Sequence, residues 1–183
     1  YYQKKPFQKI SNASSKYIVK CFDIAIKLTK NNRIKGFINC PVSKEHLFKN
    51  KHQGITEFLS KKTGKLGDET MLIYNKKLAV CPITTHIPLN QVSKKIKHDK
   101  IIKKVKTINK FYIQTFNKKP VFAILGLNPH NFSQSKKPPE KNVISIAVKK
   151  LAKLKIKVNG PISPDSSFMI SKKSRFDVII GMY

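Results

Sequence analysis

Acidic residues are scarce in this sequence: 9 Asp and Glu stand against 38 Lys and Arg, a formal net charge of +29 over 183 residues. Arginine is nearly missing too, present only as Arg33 and Arg175. That weighs against direct base readout of nucleic acid, which favours the bidentate guanidinium. The lysines run along the whole chain and gather in no single tail, and no zinc-finger, RNA-recognition or helix-turn-helix pattern appears. A lysine-rich composition over an ordinary fold explains the charge more simply than a nucleic-acid-binding module, and such a surface still attracts anionic substrates.

Cysteine is limited to Cys21, Cys40 and Cys81, far apart and odd in number. This excludes a disulfide framework and a CxxC metal pair, and reads as reduced thiols in a cytoplasmic protein. No run of about 18 apolar residues exists, so no membrane span is expected. Tyr1-Tyr2-Gln3-Lys4-Lys5 has no apolar segment behind its charges and is not a signal peptide. The chain opens without Met and closes on the apolar Asp177-Val178-Ile179-Ile180-Gly181-Met182-Tyr183, so both ends read as cuts through a larger protein. Also absent are GxGxxG, the GxxxxGK[ST] phosphate loop, HExxH and a nucleophile elbow.

What is present is 40% hydrophobic residues, enough for a core. Ser14 to Lys30 carries Tyr17, Ile18, Cys21, Phe22, Ala25 and Leu28 at helical spacing, widened by Ile24 and Ile26. This predicts a well-buried helix capped by Ser14 or Ser15. Gly36 to Cys40 reads as a buried strand entering a loop at Pro41. Ser43 caps a short helix through Phe48, and another helix starts at Thr56 and stops near Gly64. Met71–Tyr74 and Leu78–Ile83 read as adjacent strands. Leu89 to Phe116 reads as one long amphipathic helix or two in sequence, with lysines on the wet face. Pro120–Leu127 is a strand, Val143–Ile156 a helix and Val178–Met182 a final strand. This alternation predicts an α/β fold with a mainly parallel sheet flanked by helices. No internal domain boundary stands out.

In such sheets ligands gather beyond the carboxyl ends of the strands. The strand ending at Ile83 is followed by Thr84-Thr85-His86-Ile87-Pro88-Leu89, and the strand ending at Leu127 by Asn128-Pro129-His130. Two strands thus deliver a histidine to what reads as one edge. Two imidazoles and a carboxylate would hold a transition metal with positions left open for substrate. Asp165, behind the proline-rich Gly160-Pro161-Ile162-Ser163-Pro164, is the candidate third ligand. A lone histidine after a strand is also an ordinary hydrogen-bonded loop residue, and this spacing lacks a local metal signature. His46, His52 and His98 read as exposed bystanders. Gly54-Ile55-Thr56-Glu57 feeds a helix N-terminus, which suits either a phosphate, with the Thr56 hydroxyl as a further donor, or plain capping.

Taken in order, these segments resemble the 4-phosphohydroxy-L-threonine dehydrogenase family of vitamin B6 biosynthesis. The resemblance rests on Cys40-Pro41-Val42-Ser43-Lys44, Gly54-Ile55-Thr56-Glu57-Phe58, Thr84-Thr85-His86-Ile87-Pro88-Leu89, Gly126-Leu127-Asn128-Pro129-His130, Asn159 to Asp165 and Asp177 to Tyr183. It implies two α/β domains around a cleft, as in the isocitrate and isopropylmalate dehydrogenases, with this chain as the central part and both termini missing. It implies oxidation of 4-phosphohydroxy-L-threonine with NAD or NADP, followed by decarboxylation to 3-amino-2-oxopropyl phosphate. A divalent metal (zinc, magnesium or cobalt) would be held by His86 and His130, with Asp165 near it and an active site formed across a homodimer. Thr56 would contact substrate.

The sequence departs from the family at three places. Ile55 stands where the family's Gly-His-Thr-Glu turn has a substrate-contacting histidine. Asn131 to Lys137 replaces a small, glycine-rich stretch after His130. The family's third metal histidine follows directly on the Met-Tyr matching Met182-Tyr183, and its phosphate-binding Lys, Asn and Arg lie further on. The 183 residues alone are therefore expected to be inactive. A related dehydrogenase turned to another hydroxy acid is the alternative that Ile55 favours.

Overall fold

The structure, a computed structural model, describes residues 9–48, 54–131, 138–170 and 176–183. It forms two compact units, one reaching to Glu69 and one spanning Thr70–Tyr183. His52 and the Phe132–Lys137 stretch after His130 lie outside the described residues.

The first unit is helical. Helix α1 (Asn12–Lys30) is capped by Ser11, not by Ser14 or Ser15: the Ser11 side chain accepts from the Ser14 amide and Ser14 bonds back, closing a capping box. Only Phe22 and Ile26 of α1 are buried, and Tyr17, Cys21 and Ile24 face outward. The apolar stripe is thus wider than the surface available to cover it. Helix α2 (Lys44–Phe48) follows Ser43, whose carbonyl accepts from the Leu47 amide. Helix α3 (Ile55–Thr63) ends at Gly64, whose φ of 70° is the left-handed C-cap that glycine adopts without a Cβ clash. Phe22, Phe48 and Phe58 form the core, with centroids 5.5 Å apart for Phe22–Phe58 and 5.2 Å for Phe48–Phe58. The strand expected over Gly36–Cys40 is not formed; Ile38 is fully exposed. No strand is described in this unit for that segment to pair with, and an unpaired backbone stays in water.

The second unit is built on a five-stranded sheet. Its strands are β1 (Ile73–Tyr74), β2 (Ala79–Pro82), β3 (Phe122–Leu125), β4 (Val158–Ile162) and β5 (Val178–Gly181), in the order β1-β2-β5-β3-β4. Only the β1–β2 pair is antiparallel. Strand periodicity divides the core. Ala79, Cys81, Phe122, Ile124, Val178 and Ile180 point to the face covered by α4 (Leu89–Lys95), α5 (His98–Phe116) and α6 (Ser145–Lys153). Ala123, Leu125 and Ile179 point to the other, with Phe176. Each fully buried aliphatic side chain contributes about 1.5–3 kcal/mol.

Sequence and structure differ here at Asn159–Asp165. The segment read as a proline-rich turn is the edge strand β4 followed by helix α7 (Pro164–Ile170). An edge position tolerates Pro161, whose missing N–H would break a central ladder, and Pro164 suits a first helical position. No helix among the described residues is long and apolar enough to cross a membrane.

Candidate active site

Strands β2, β5, β3 and β4 run parallel, so their carboxyl ends share one edge. At the exit of β2, the Ile83 and Thr84 amides donate to the carbonyls of Gly181 and Met182 at 2.8 and 3.2 Å. The buried Thr84 hydroxyl donates to the same Met182 carbonyl at 2.7 Å. Anchored there, the chain turns outward through His86, which is exposed and has φ 52°, a left-handed conformation that few non-glycine residues adopt. Pro88 then opens α4.

The loop leaving β3 is held more tightly. The Gly126 amide donates to Ile162 of β4 at 2.8 Å. The Leu127 and Asn128 amides and the Asn128 side-chain amide all donate to Oε1 of Glu140, at 3.1, 2.9 and 2.9 Å. Glu140 is 4% exposed and opens a π-helical turn, Glu140–Ile144, ahead of α6. Beyond His130, the Asn131 side chain donates to the Pro161 carbonyl at 3.0 Å. Its Oδ1 fills the space a Cβ on Gly126 would need, only 1.8 Å away.

Strand β4 delivers the carboxylate. Asp165 lies in the first turn of α7, and its Oδ2 sits 3.2 Å from Nδ1 of His130. The Ser163 hydroxyl lies in short contact with both the Pro129 carbonyl and Asp165 Oδ1. The Ser163 hydrogen bond holds the Asp165 carboxyl below its ordinary value, against an opposing effect of desolvation and with a smaller lowering from His130. Because Nδ1 of His130 faces a carboxylate, Nε2 is left outward, the position from which a neutral imidazole would bind a metal. His130 and Asp165 are thus brought together. His86 stands on the same edge apart from them: among the described residues no three His, Cys, Asp or Glu converge as a metal cage.

Thr56 and Ile55 belong to the first unit, both half-buried in the opening turn of α3. Gly54 caps that helix without a side chain, and Oε2 of Glu57 is buried with no hydrogen bond among the described residues. His46 is exposed and bonded to Ser43 at 2.8 Å. His98, expected to be exposed, is half-buried against Asp99 at 2.8 Å, because it opens α5 directly on the packed face.

Two buried charged residues at this edge carry no sequence motif. One is Glu140. The other is Lys104 of α5, 8% exposed, whose ammonium reaches the Pro82 carbonyl at the end of β2 at 3.4 Å. Beside it burial pushes the Cys81 thiol up to about 11, with the Lys104 charge opposing.

The profile of the family described as pyridoxal phosphate biosynthetic protein PdxA matches residues 2–183. The chain belongs to the PdxA family. It is 36% identical over 183 residues to the 4-hydroxythreonine-4-phosphate dehydrogenase of Aquifex aeolicus, covering 98% of this chain and 56% of that one. It is 26% identical over 167 residues to the D-threonate 4-phosphate dehydrogenase of Pectobacterium atrosepticum, covering 90% and 51%. The solved 4-hydroxythreonine-4-phosphate dehydrogenase of Klebsiella pneumoniae superposes with a TM-score of 0.84 at 26% identity, over 96% of this chain and 55% of that one. The chain spans about half the length of the relatives it matches. As a PdxA-family member it has a mainly parallel α/β fold, matching the resemblance read from its motifs.

Proposed function

We propose that the protein is an oxidoreductase of pyridoxal phosphate synthesis, oxidising 4-phosphohydroxy-L-threonine with NAD or NADP and a divalent metal. The observation that carries this reading is the His130–Asp165 pair, set on the sheet edge that also bears His86. Imidazole and carboxylate donors suit zinc or cobalt, and magnesium through the carboxylate. The set therefore fits such an ion in chemistry, with His86 and His130 as the residues that would hold it and Asp165, expected from the sequence as a third ligand, as the outer partner of His130. When bound, the metal supplies Lewis-acid polarisation of the substrate hydroxyl and carboxylate, and the nicotinamide accepts the hydride. Asp165 fixes the tautomer of His130 and keeps its ring oriented. Thr84 and Glu140 hold the two strand exits at fixed height, and the Thr56 hydroxyl offers a hydrogen bond to substrate.

Strand β5 runs between β2 and β3, so a histidine following Tyr183, as in the family, would sit between the loops of His86 and His130. That position would close the ligand set, in a homodimer acting in the cytoplasm. The free Cys21, Cys40 and Cys81 fit a reducing compartment.

A second reading is favoured by Ile55, which offers no proton or hydrogen bond where the family has histidine. The substrate is then another phosphorylated hydroxy acid, such as D-threonate 4-phosphate. The test is turnover of both compounds by the protein at its natural length, with NAD or NADP and zinc, magnesium or cobalt. His86→Ala should abolish it. Ile55→His should raise kcat/KM for 4-phosphohydroxy-L-threonine if the first reading is right. A preference for D-threonate 4-phosphate that Ile55→His reduces would establish the second, and a folded protein turning over neither would sink both.

A further inference from the structure

We infer that Glu140 is the positioning residue for His130, fixing the loop from which that imidazole projects; the inference rests on the metal-site reading above. Three donors converge on a single oxygen of this side chain: the Leu127 amide at 3.1 Å, the Asn128 amide at 2.9 Å and the Asn128 side-chain amide at 2.9 Å. All three belong to the turn between the end of β3 and His130. Glu140 is 4% exposed, and its other oxygen, Oε2, is buried with no hydrogen bond among the described residues. A buried carboxylate spending every described bond on one loop is costly as plain stabilisation, because its charge is stripped of water with no cation paired to it among the described residues.

The geometry explains what the arrangement achieves. Charge-assisted bonds are shorter and stronger than neutral ones, so the turn is held in one conformation. His130 is two residues beyond Asn128, and its partner among the described residues is Asp165, itself half-exposed. The ring of His130 is 79% exposed, so little packing among the described residues holds it. Precision at Nε2 must therefore come from the backbone beneath it, which Glu140 fixes from one side and Asn131, through the Pro161 carbonyl, from the other. The π-helical turn that Glu140 opens aims its side chain back at this loop, and such turns recur at functional sites.

The test uses the protein at its natural length, with cobalt(II) as the spectroscopic metal. Cobalt affinity and amide exchange at Leu127 and Asn128 are measured for wild type, Glu140→Ala, Glu140→Gln, Glu140→Asp and His130→Ala. Gln keeps one acceptor oxygen, while Asp keeps the charge but falls short by a methylene. Glu140→Ala and Glu140→Asp are expected to weaken cobalt binding about 10–100-fold, the usual effect of removing an outer partner of a metal ligand. Exchange at Leu127 and Asn128 should quicken in both, with melting temperature and circular dichroism showing a folded protein. Glu140→Gln should stay near wild type in both readouts. Faster exchange with unchanged cobalt affinity would reduce Glu140 to a structural role and overturn the inference, as would unchanged exchange. If Glu140→Ala fails to fold, Glu140→Asp gives the same reading. A wild type that binds no cobalt, or a His130→Ala variant that binds it equally well, would instead sink the metal-site reading. The exchange data would still decide whether Glu140 holds the loop.

Discussion

Ser163 has one proton to donate and two oxygens within reach, the Pro129 carbonyl and Asp165 Oδ1. Its bond to Asp165 is the leading cause of that carboxyl's lowered titration, ahead of His130. Ser163→Ala should move the Asp165 carboxyl up toward its ordinary value, read by carbon-13 NMR titration; an unmoved titration would refute the bond. The sign follows from a depressed value. The carboxylate contribution is present above the unfolded carboxyl range and is lost as pH falls through the lowered folded value. Cys81 runs the other way. Burial raises its thiol to about 11, so its contribution is lost as pH rises from the unfolded value toward that point. Iodoacetamide at pH 8 should label the exposed Cys21 and Cys40 in the native protein and leave Cys81 unlabelled until denaturation. Labelling of all three in the native state would contradict the burial. Of the candidate site residues, His86 and His130 could be placed at the strand exits because each follows a strand inside a recognisable motif. Glu140 could not, since an isolated acid after Pro138-Pro139 carries no periodicity. Asp165 was singled out by the proline-rich segment before it, in a chain with few acids.

At the scale of elements, the β3–β4 edge depends on a residue without a side chain. A Cβ on Gly160 would stand 2.5 Å from the carbonyl oxygen of Ile124, where the pairing register shifts between Ala123 and Leu125. The φ of Gly160, 155°, lies where L side chains are rarely found. Backbone cannot yield as a flexible side-chain tip can, so Gly160→Ala should cost about 1–3 kcal/mol. The check is the midpoint of urea unfolding, and an unchanged midpoint would mean the two strands part without loss. The same glycine, with Pro161, hid β4 from sequence reading: Gly-Pro inside a run marks a turn more often than a strand, and only an edge position accommodates both. Helix α7 was hidden by Pro164, which opens a helix as readily as it ends one. The Gly36–Cys40 run failed in the opposite sense, for a short apolar run forms a strand only where a neighbour completes its ladder. The central strands were legible because burial on both faces leaves a continuous apolar run.

At the scale of the whole molecule, the excess of +29 charges is spread along a chain whose proposed substrate carries a phosphate and a carboxylate. A diffuse positive field does not choose a partner, but it raises the encounter rate of small anions, and salt removes the gain. The screening length falls from about 30 Å at 0.01 M ionic strength to about 8 Å at 0.15 M. Steering by distant lysines should vanish over that range, while contacts inside the site should persist. kcat/KM of the natural-length protein should therefore fall by up to about tenfold between those conditions, with kcat nearly constant. The contrast with nucleic acid is sharp. A protein holding several phosphates loses affinity by orders of magnitude over similar salt. With only Arg33 and Arg175 as guanidiniums, base-specific contacts have few sources here. A gel shift at low salt that disappears by 0.15 M, alongside an unaltered kcat/KM, would mean that the lysines serve a polyanion and not the substrate. A salt-sensitive kcat/KM without any shift would assign the charge to capture of a phosphorylated acid at the edge where His86, His130 and Asp165 stand.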